Sequence, residues 1–397
     1  MFTSAPKWLR RSNMTSLPIP KSNVPHPLES GSLNLGGSSG SHRRQPGLDL
    51  LRAIAILMVV CYHAAGFGFG LPYDVHRFGW IGVDLFFVLS GYLIGGQILA
   101  QLQDHKTFRF GRFYLRRALR ILPTYLVVVA VYFLLPSWRE RPVISPLWKY
   151  LLSVQNIGLQ SGTAFSHAWS LAVEDQFYLL LPALLFVLVH RPRTALALPV
   201  LLFIGGLVLR AFLAAWQADA AGHVPGREYF LWIYYPTWSR LDPLVLGVAL
   251  AAIERHQASW WRSLTNAATW LWLPAFALIC GGLYLHEGPA TVGACVWSFP
   301  LIAIGMTILL ACSVSPRLPF HRRKIPGTAY LARVAYSVYL SHKIVVHFMA
   351  GLFSKQGMVL SSFGALLGLG IAVALVGTLL YYAVERPFLQ LRNRVQG

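Results

Sequence analysis

The amino-acid sequence predicts an all-α fold, a polytopic bundle of about ten transmembrane helices, and three observations support this prediction. Apolar residues make up 55% of the 397 residues and charged residues only 12%, about half the ~25% typical of soluble domains. From residue 48 onward, apolar runs long enough to cross the ~30 Å hydrocarbon core of a bilayer recur along the chain. The four cysteines all lie in apolar runs, which excludes a disulfide scaffold and gives no metal-ligand spacing.

The predicted elements follow one another with short connections. Residues 1–47 are poor in apolar residues and rich in Ser, Pro and Gly, so we expect a disordered cytoplasmic tail. Residues 48–388 form the predicted transmembrane domain, and residues 389–397 a second cytoplasmic tail. The ten predicted spans are 48–70, 80–101, 118–135, 170–190, 195–215, 238–254, 268–286, 292–313, 331–352 and 361–384.

The distribution of basic residues predicts how the bundle is oriented. Ten spans place both termini on one side, and most of the 34 Lys and Arg residues lie in the tails and loops of that side. By the positive-inside rule we expect both termini in the cytoplasm, in a multi-pass protein of the plasma membrane, the inner membrane of a bacterium. Segment 136–169 then lies outside, with an amphipathic helix predicted at 146–157. Because the net charge of +20 is spread between apolar runs, it does not indicate nucleic-acid binding.

Polar residues inside the predicted spans are the candidates for function, because a charge at the bilayer centre costs ~2.5–3.5 kcal/mol on insertion scales. In the first span, Arg52 and His63 are eleven residues apart, almost three helical turns. They therefore share a face with Asp49, and His63 stands ~16 Å from Arg52 along the axis. The alternative is a structural Asp49–Arg52 pair and an interior histidine with satisfied hydrogen bonds.

Four further spans carry polar residues. In the fourth, spacings of three, four and seven place His167, Ser170 and Glu174 on one helix face. Histidine plus glutamate suits acid–base chemistry, whereas a structural tie to another span is the alternative. Asp84, near the outer end of the second span, is expected to complement the helix dipole. The remaining candidates for supporting roles are Arg240 and Asp242 in the sixth span and Tyr339 and His342 in the ninth.

A dense basic run follows the second span. Arg116, Arg117 and Arg120 have spacings of three and four, so on a helix they form one patch. This patch could anchor the protein to anionic lipid. It could equally bind phosphate groups, whose oxygens match the forked donors of arginine. Composition leaves both interpretations open.

Six stretches in this order carry a resemblance to a known family: 48–63, GVDLFFVLSGYLI at 82–94, FYLRRALRILPTY at 113–125, WSLAVEDQFYLLLP at 169–182, RLDPLVLGVALA at 240–251 and YSVYLSH at 336–342. The chain resembles the acyltransferase-3 family, integral membrane acyltransferases that modify sugars and other extracytoplasmic acceptors. Arg52 and His63 match the family's pattern of a basic residue, ten intervening residues and a histidine. Arg117 and Arg120 match its RxxR pattern, and the likeness covers residues 48 to 388.

The resemblance implies O-acyl transfer from cytoplasmic acyl-CoA, most often acetyl-CoA, to a glycan or lipid-linked sugar. The basic patch Arg116, Arg117 and Arg120 would bind the CoA phosphates. The acyl-bearing arm would pass Arg52 to reach His63, acting as general base or as carrier of a transient acyl group. Glu174 would orient His63 or stabilise its imidazolium. Some members carry a C-terminal hydrolase-like domain; we expect none in this protein, and therefore a stand-alone enzyme or one with a separate partner.

A transporter or flippase is the alternative function, in which the same intramembrane polar residues would form a substrate or proton pathway. An inverted sequence repeat would favour it, and none is evident in the sequence. For the acyltransferase we expect three partners, namely acyl-CoA, a carbohydrate acceptor and membrane lipid. No metal and no nucleic acid are expected.

Overall fold

The computed structural model describes residues 45–72, 77–103, 108–189, 197–288, 290–319 and 323–394. Ten long helices and one short C-terminal helix make up most of this part of the chain, which contains no β-strand. Most of the predicted tail 1–47 lies outside the described residues. The helices are α1 (Pro46–Gly66), α2 (Gly82–Gln103), α3 (Phe110–Leu134), α4 (Trp169–Val189), α5 (Ala197–Gln217), α6 (Asp242–His256), α7 (Ala268–Glu287), α8 (Val292–Val314), α9 (Thr328–Lys355), α10 (Phe363–Leu380) and α11 (Arg386–Arg394).

The all-α, multi-pass character predicted from composition is confirmed, but the count of about ten spans is only partly supported. A helix lies at each of the ten predicted positions. Among the described residues, seven helices are long and apolar enough to cross a membrane, by length and composition: α1, α2, α3, α5, α7, α8 and α10, which continues into α11. The other three are α4, α6 and α9. At ~1.5 Å per residue, α6 with its 15 residues reaches only ~22 Å, and α4 and α9 carry many of the polar candidates.

Small residues allow the central helices to approach one another closely. Gly91 of α2 lies against the backbone carbonyl of Leu244 in α6, and Gly247 of α6 lies against that of Val88 in α2. A Cβ added at either glycine would collide with backbone that cannot move aside. Small residues at helix crossings are the usual means of tight packing in membranes. The pairing of α2 with α6 thus fixes the position of the polar residues that these helices carry.

The helices divide into a buried centre and an apolar periphery. In α2, 78% of the most apolar stretch is buried, whereas in α5, α7 and α10 the figure is 22%. Large apolar side chains on the peripheral helices face outward, among them Phe212, Trp270 and Phe363. Around α2 are packed α1, α4, α6 and α8, and α1 also packs against α9. The candidate residues of α1, α4 and α9 are therefore brought together inside the bundle.

The segment between α3 and α4 differs from the prediction. Instead of an amphipathic helix over 146–157, the structure has a five-residue helix, Leu147–Leu151, followed by turns. The helix ends because Ser153 adopts a left-handed conformation with φ of 53°, and the Val154 N–H donates to the carbonyl of Lys149. The segment then folds back and enters α4 through a turn of 3-10 helix, Ser166–Ala168.

Candidate active site

Three histidines from separate elements meet near one end of α4. His63 comes from the last turn of α1, His167 from the 3-10 turn before α4, and His342 from the middle of α9. The ring centroid of His342 lies 4.9 Å from that of His63 and 4.9 Å from that of His167. The centroids of His63 and His167 are 6.0 Å apart. We call these residues the histidine cluster. Nothing in the sequence spacing links them, because they are spread over 280 residues.

Within the histidine cluster, His63 and His342 are in direct contact. Nδ1 of His63 lies 3.1 Å from Nε2 of His342 and 3.0 Å from the carbonyl oxygen of Val59. On the other side of its ring, Nδ1 of His342 lies 2.7 Å from the carbonyl oxygen of Tyr339 and 3.2 Å from that of Val338. The pair is thus held in place by backbone carbonyls of its own two helices.

His167 is held by different contacts. Its Nε2 lies 3.4 Å from the carbonyl oxygen of Leu340, and its buried Nδ1 has no hydrogen-bond partner in the described part of the chain. The Tyr339 hydroxyl donates to the His167 carbonyl at 2.8 Å and lies 2.5 Å from the hydroxyl of Ser170. The predicted supporting residues His167, Ser170, Tyr339 and His342 therefore belong to one connected group.

Lys343, which is not among the candidates named from the sequence, forms a buried ion pair beside this group. Its ammonium lies 3.0 Å from the Glu140 carboxylate and donates to the Ser166 hydroxyl at 3.1 Å. Glu140 also accepts from the backbone N–H of Phe165. Burial raises the pKa of Glu140, but the charge and hydrogen bonds of Lys343 and the backbone N–H groups outweigh it and keep this pKa below its ordinary value. The pair ties the segment between α3 and α4 to α9, next to the histidines.

Glu174 is not where the sequence analysis expected it. Its carboxylate accepts from the Ser90 hydroxyl at 3.0 Å and from the Tyr178 hydroxyl at 3.3 Å, so the expected contact with His63 is wrong for this structure. The reason is geometric. Glu174 lies seven residues beyond His167, which is ~10 Å along α4. The position beside His63 is taken by His342 instead.

The remaining polar candidates form ion pairs. On α1, the Arg52 guanidinium lies 3.3 Å from the Asp49 carboxylate, and the Arg52 side chain is 28% exposed. Asp84 does not simply complement a helix dipole, because Arg240, which is fully buried, donates to both of its oxygens at 2.8 and 3.0 Å. Asp242 pairs with buried Arg210 of α5. Arg210 was missed, although an arginine inside an apolar run is itself a signal of an intramembrane pair.

The basic patch acquires a fourth member from the C-terminal helix. Arg116, Arg117 and Arg120 lie on α3, which packs against α11. Arg392 of α11 is close enough to experience the charge of all three. We call these four residues the arginine cluster. Arg392 has no local sequence signal, because it lies 272 residues beyond Arg120 and joins it only through helix packing.

The arginine cluster is not neutralised by direct partners. In the described residues, none of its four members has a carboxylate within 4 Å. The Arg117 guanidinium stacks 3.9 Å from the ring centroid of Tyr178, and its Nε is buried without a hydrogen bond. Glu174 and Glu385 offset part of the charge from a greater distance. An anion could therefore bind here without displacing an existing pair.

Comparison with known proteins identifies the family of this chain and several relatives. The profile of the acyltransferase-3 family, described as an acyltransferase domain, matches residues 45–382. A peptidoglycan O-acetyltransferase of Listeria monocytogenes is 31% identical over 233 residues, covering 54% of this chain and 34% of that protein. A Bacillus subtilis protein provisionally named a peptidoglycan O-acetyltransferase is 32% identical, covering 53% of this chain and 34% of that protein.

The similarity therefore spans about a third of the length of these curated relatives. No solved structure gives a significant match. Among the described residues, no group of three His, Cys, Asp or Glu side chains is arranged to hold a metal ion. The profile match extends over most of the transmembrane domain predicted from the sequence. The chain belongs to the acyltransferase-3 family.

Proposed function

We propose that the protein transfers an acyl group, most simply acetyl, from cytoplasmic acyl-CoA to a hydroxyl of an extracytoplasmic or lipid-linked carbohydrate. The observation that carries this proposal is the placement of His63. It shares α1 with Arg52 and meets two other histidines inside the bundle. The names of the relatives, peptidoglycan O-acetyltransferases, support a carbohydrate of the cell envelope as acceptor.

The arginine cluster is the proposed site for the phosphates of the donor. Guanidinium groups form strong, forked hydrogen bonds with phosphate oxygens. Arg116, Arg117 and Arg120 bind the CoA phosphates, and the pantetheine arm extends along α1 past Arg52 towards His63. Glu174 and Glu385, two carboxylates near the cluster, each accept a hydrogen bond from a serine hydroxyl. They are thus engaged within the bundle, and the guanidinium groups stay available to an anion.

The proposed chemistry is a displacement at the thioester carbonyl. His63 takes the proton of the acceptor hydroxyl as the oxygen attacks the carbonyl carbon. The carbon–sulfur bond breaks, the thiolate receives the proton that His63 has taken up and leaves as CoA, and the new bond is an ester. A second route passes through an acyl-imidazole on His63, with the acyl group moving to the acceptor in a separate step.

Measurement of both products tests this proposal against transport. Membranes containing the protein should release free thiol from acetyl-CoA, and mass spectrometry of envelope glycans should show one additional acetyl group relative to cells without it. His63→Ala membranes with the same amount of protein are the control and should show neither. A transporter or flippase would move its solute without thiol release, so the absence of release from membranes supplied with envelope glycan would overturn the proposed activity.

A further inference from the structure

His63 contacts His342 through only one of its two ring nitrogens, Nδ1. We propose that His342 is a positioning residue that holds His63 in a single tautomer, leaving Nε2 of His63 as the atom that accepts the proton of the acceptor hydroxyl. This inference rests on the proposed function. It adds the atom at which the proton is received and the residue that makes that atom available.

The first step concerns the His342 ring. Its Nδ1 lies 2.7 and 3.2 Å from the carbonyl oxygens of Tyr339 and Val338. A carbonyl oxygen can only accept a hydrogen bond, so Nδ1 of His342 must carry the hydrogen. In a neutral imidazole the other nitrogen is then an acceptor. Nε2 of His342 therefore presents a lone pair to His63.

The second step concerns the His63 ring. Its Nδ1 faces two acceptors, the lone pair on Nε2 of His342 at 3.1 Å and the carbonyl oxygen of Val59 at 3.0 Å. Only a protonated Nδ1 avoids repulsion from both. Nε2 of His63 is then without hydrogen, and it has no hydrogen-bond partner in the described part of the chain. The opposite tautomer would set three lone pairs against one another.

The third step concerns the imidazolium that forms when His63 receives the proton. This cation keeps its Nδ1–H directed at Nε2 of His342, whose ring is held in turn by the carbonyls of α9. From the sequence, Glu174 was expected to orient His63 and stabilise its imidazolium. In a serine-protease triad, the aspartate has this role: it fixes the tautomer of the catalytic histidine and stabilises the imidazolium. In this protein the neutral imidazole of His342 has that role.

Two amide substitutions at His342 separate the positioning role from a merely structural one. The amide of Gln reaches approximately the position of Nε2, so its oxygen can accept from Nδ1–H of His63. The shorter Asn reaches approximately the position of Nδ1, so it keeps a donor for the Tyr339 carbonyl but loses His63. We expect His342→Asn to lower kcat for acetyl-CoA-dependent thiol release roughly 100-fold or more, since a wrong tautomer costs up to ~10⁴ in a protease triad.

His342→Gln should retain at least ten times the activity of His342→Asn, with the KM for acetyl-CoA unchanged in both. Both are assayed as full-length protein in phospholipid vesicles, with an envelope glycan fraction as acceptor. Equal activity of the two variants would overturn the inference, because it would show that contact with His63 is irrelevant.

A double substitution provides the second measurement. If His342 acts through His63, adding His342→Asn to His63→Ala should lower the residual activity no further, whereas independent effects would multiply. Wild-type kcat in His342→Asn, with His63→Ala inactive, would reject this inference and leave the proposed function standing. Wild-type activity in His63→Ala would instead reject His63 as the base of the proposed function. Equal amounts of each variant in the membrane, with the same elution volume in detergent, exclude misfolding as the cause.

Discussion

The histidine cluster and the arginine cluster occupy different parts of the same bundle, and their polar groups are satisfied in different ways. The contact of His63 with His342 is completed by backbone carbonyls of α1 and α9. The arginine cluster instead brings four like charges together, and the carboxylates near it are engaged with hydroxyl groups. The geometry of the histidine cluster is set by the protein itself, whereas the arginine cluster has no carboxylate in direct contact, and in the proposed function the donor phosphates supply its countercharge.

This difference corresponds to the demands of the two tasks. Acid–base catalysis by a histidine requires its ring nitrogen at a defined position and in a defined protonation state. Binding a phosphate requires positive charge and forked donors, and the phosphate itself can order them. We therefore expect substitutions in the histidine cluster to lower turnover with little change in donor affinity, and substitutions in the arginine cluster to do the reverse.

The largest expected effect concerns the orientation of the protein in the membrane, because the proposed donor site requires the arginine cluster to face the cytoplasm. In a cysteine-free variant, single cysteines at Ser137 and Ser161 should react with an impermeant thiol reagent added outside intact cells. A cysteine at Ser39 should react only after the cells are opened. The reverse labelling pattern would place the arginine cluster outside, away from cytoplasmic acyl-CoA, and would contradict the donor site.

The next effect is the loss of the base. His63→Ala should lower acetyl transfer by ~10²–10⁴-fold, the usual contribution of a general base, while acetyl-CoA still binds with nearly unchanged affinity. His347→Ala is the matched control, because His347 lies on α9 outside the histidine cluster and touches the rings of Phe67 and Phe348. Loss of donor binding in His63→Ala would show that the two regions are not functionally separate.

How much of this arrangement the sequence could reveal depends on the range of the interactions. The helix positions follow from the lengths of apolar runs, which are local, so a helix lies at every predicted span. The shared face of Arg52 and His63 is equally local, because it follows from helical periodicity. The neighbours of His63 depend on how α1, α4 and α9 pack, and a single sequence has no signal for packing between distant helices. For that reason Glu174 was assigned to His63 incorrectly, and Arg210 and Arg392 were overlooked.

The third effect tests the phosphate site. Arg117→Ala or Arg120→Ala should weaken acetyl-CoA binding roughly 10- to 150-fold, since each removes a charge-assisted contact worth ~1.5–3 kcal/mol. Lys at either position should recover part of the loss, because charge remains while the forked geometry is lost. The Arg109→Ala variant should bind acetyl-CoA normally, because Arg109 lies outside the arginine cluster. Acetylpantetheine, which lacks the CoA phosphates, should bind all variants equally. Equal acetyl-CoA binding by all of these variants would indicate that the arginine cluster anchors the protein to lipid and does not bind the donor.

The smallest expected effect tests whether Arg392, at the edge of the arginine cluster, contacts a CoA phosphate or a lipid headgroup. Arg392 reaches the cluster from α11 and is only partly buried. We therefore expect a weaker contribution, about 0.5–1 kcal/mol, so Arg392→Ala should weaken acetyl-CoA binding about two- to fivefold. Arg394→Ala is the matched control, because it removes the same charge from the same short helix at an exposed position.

Binding is measured in vesicles of phosphatidylcholine with and without phosphatidylglycerol, because a lipid headgroup and a CoA phosphate offer Arg392 the same chemistry. If Arg392 contacts the donor, the loss persists in neutral vesicles, where no anionic headgroup competes for the guanidinium. If it contacts lipid, Arg392→Ala has no effect on donor binding in neutral vesicles, and the arginine cluster that binds the donor is reduced to the three residues of α3. An equal loss in Arg394→Ala would mean that net charge on α11, and not a contact by Arg392, accounts for the change.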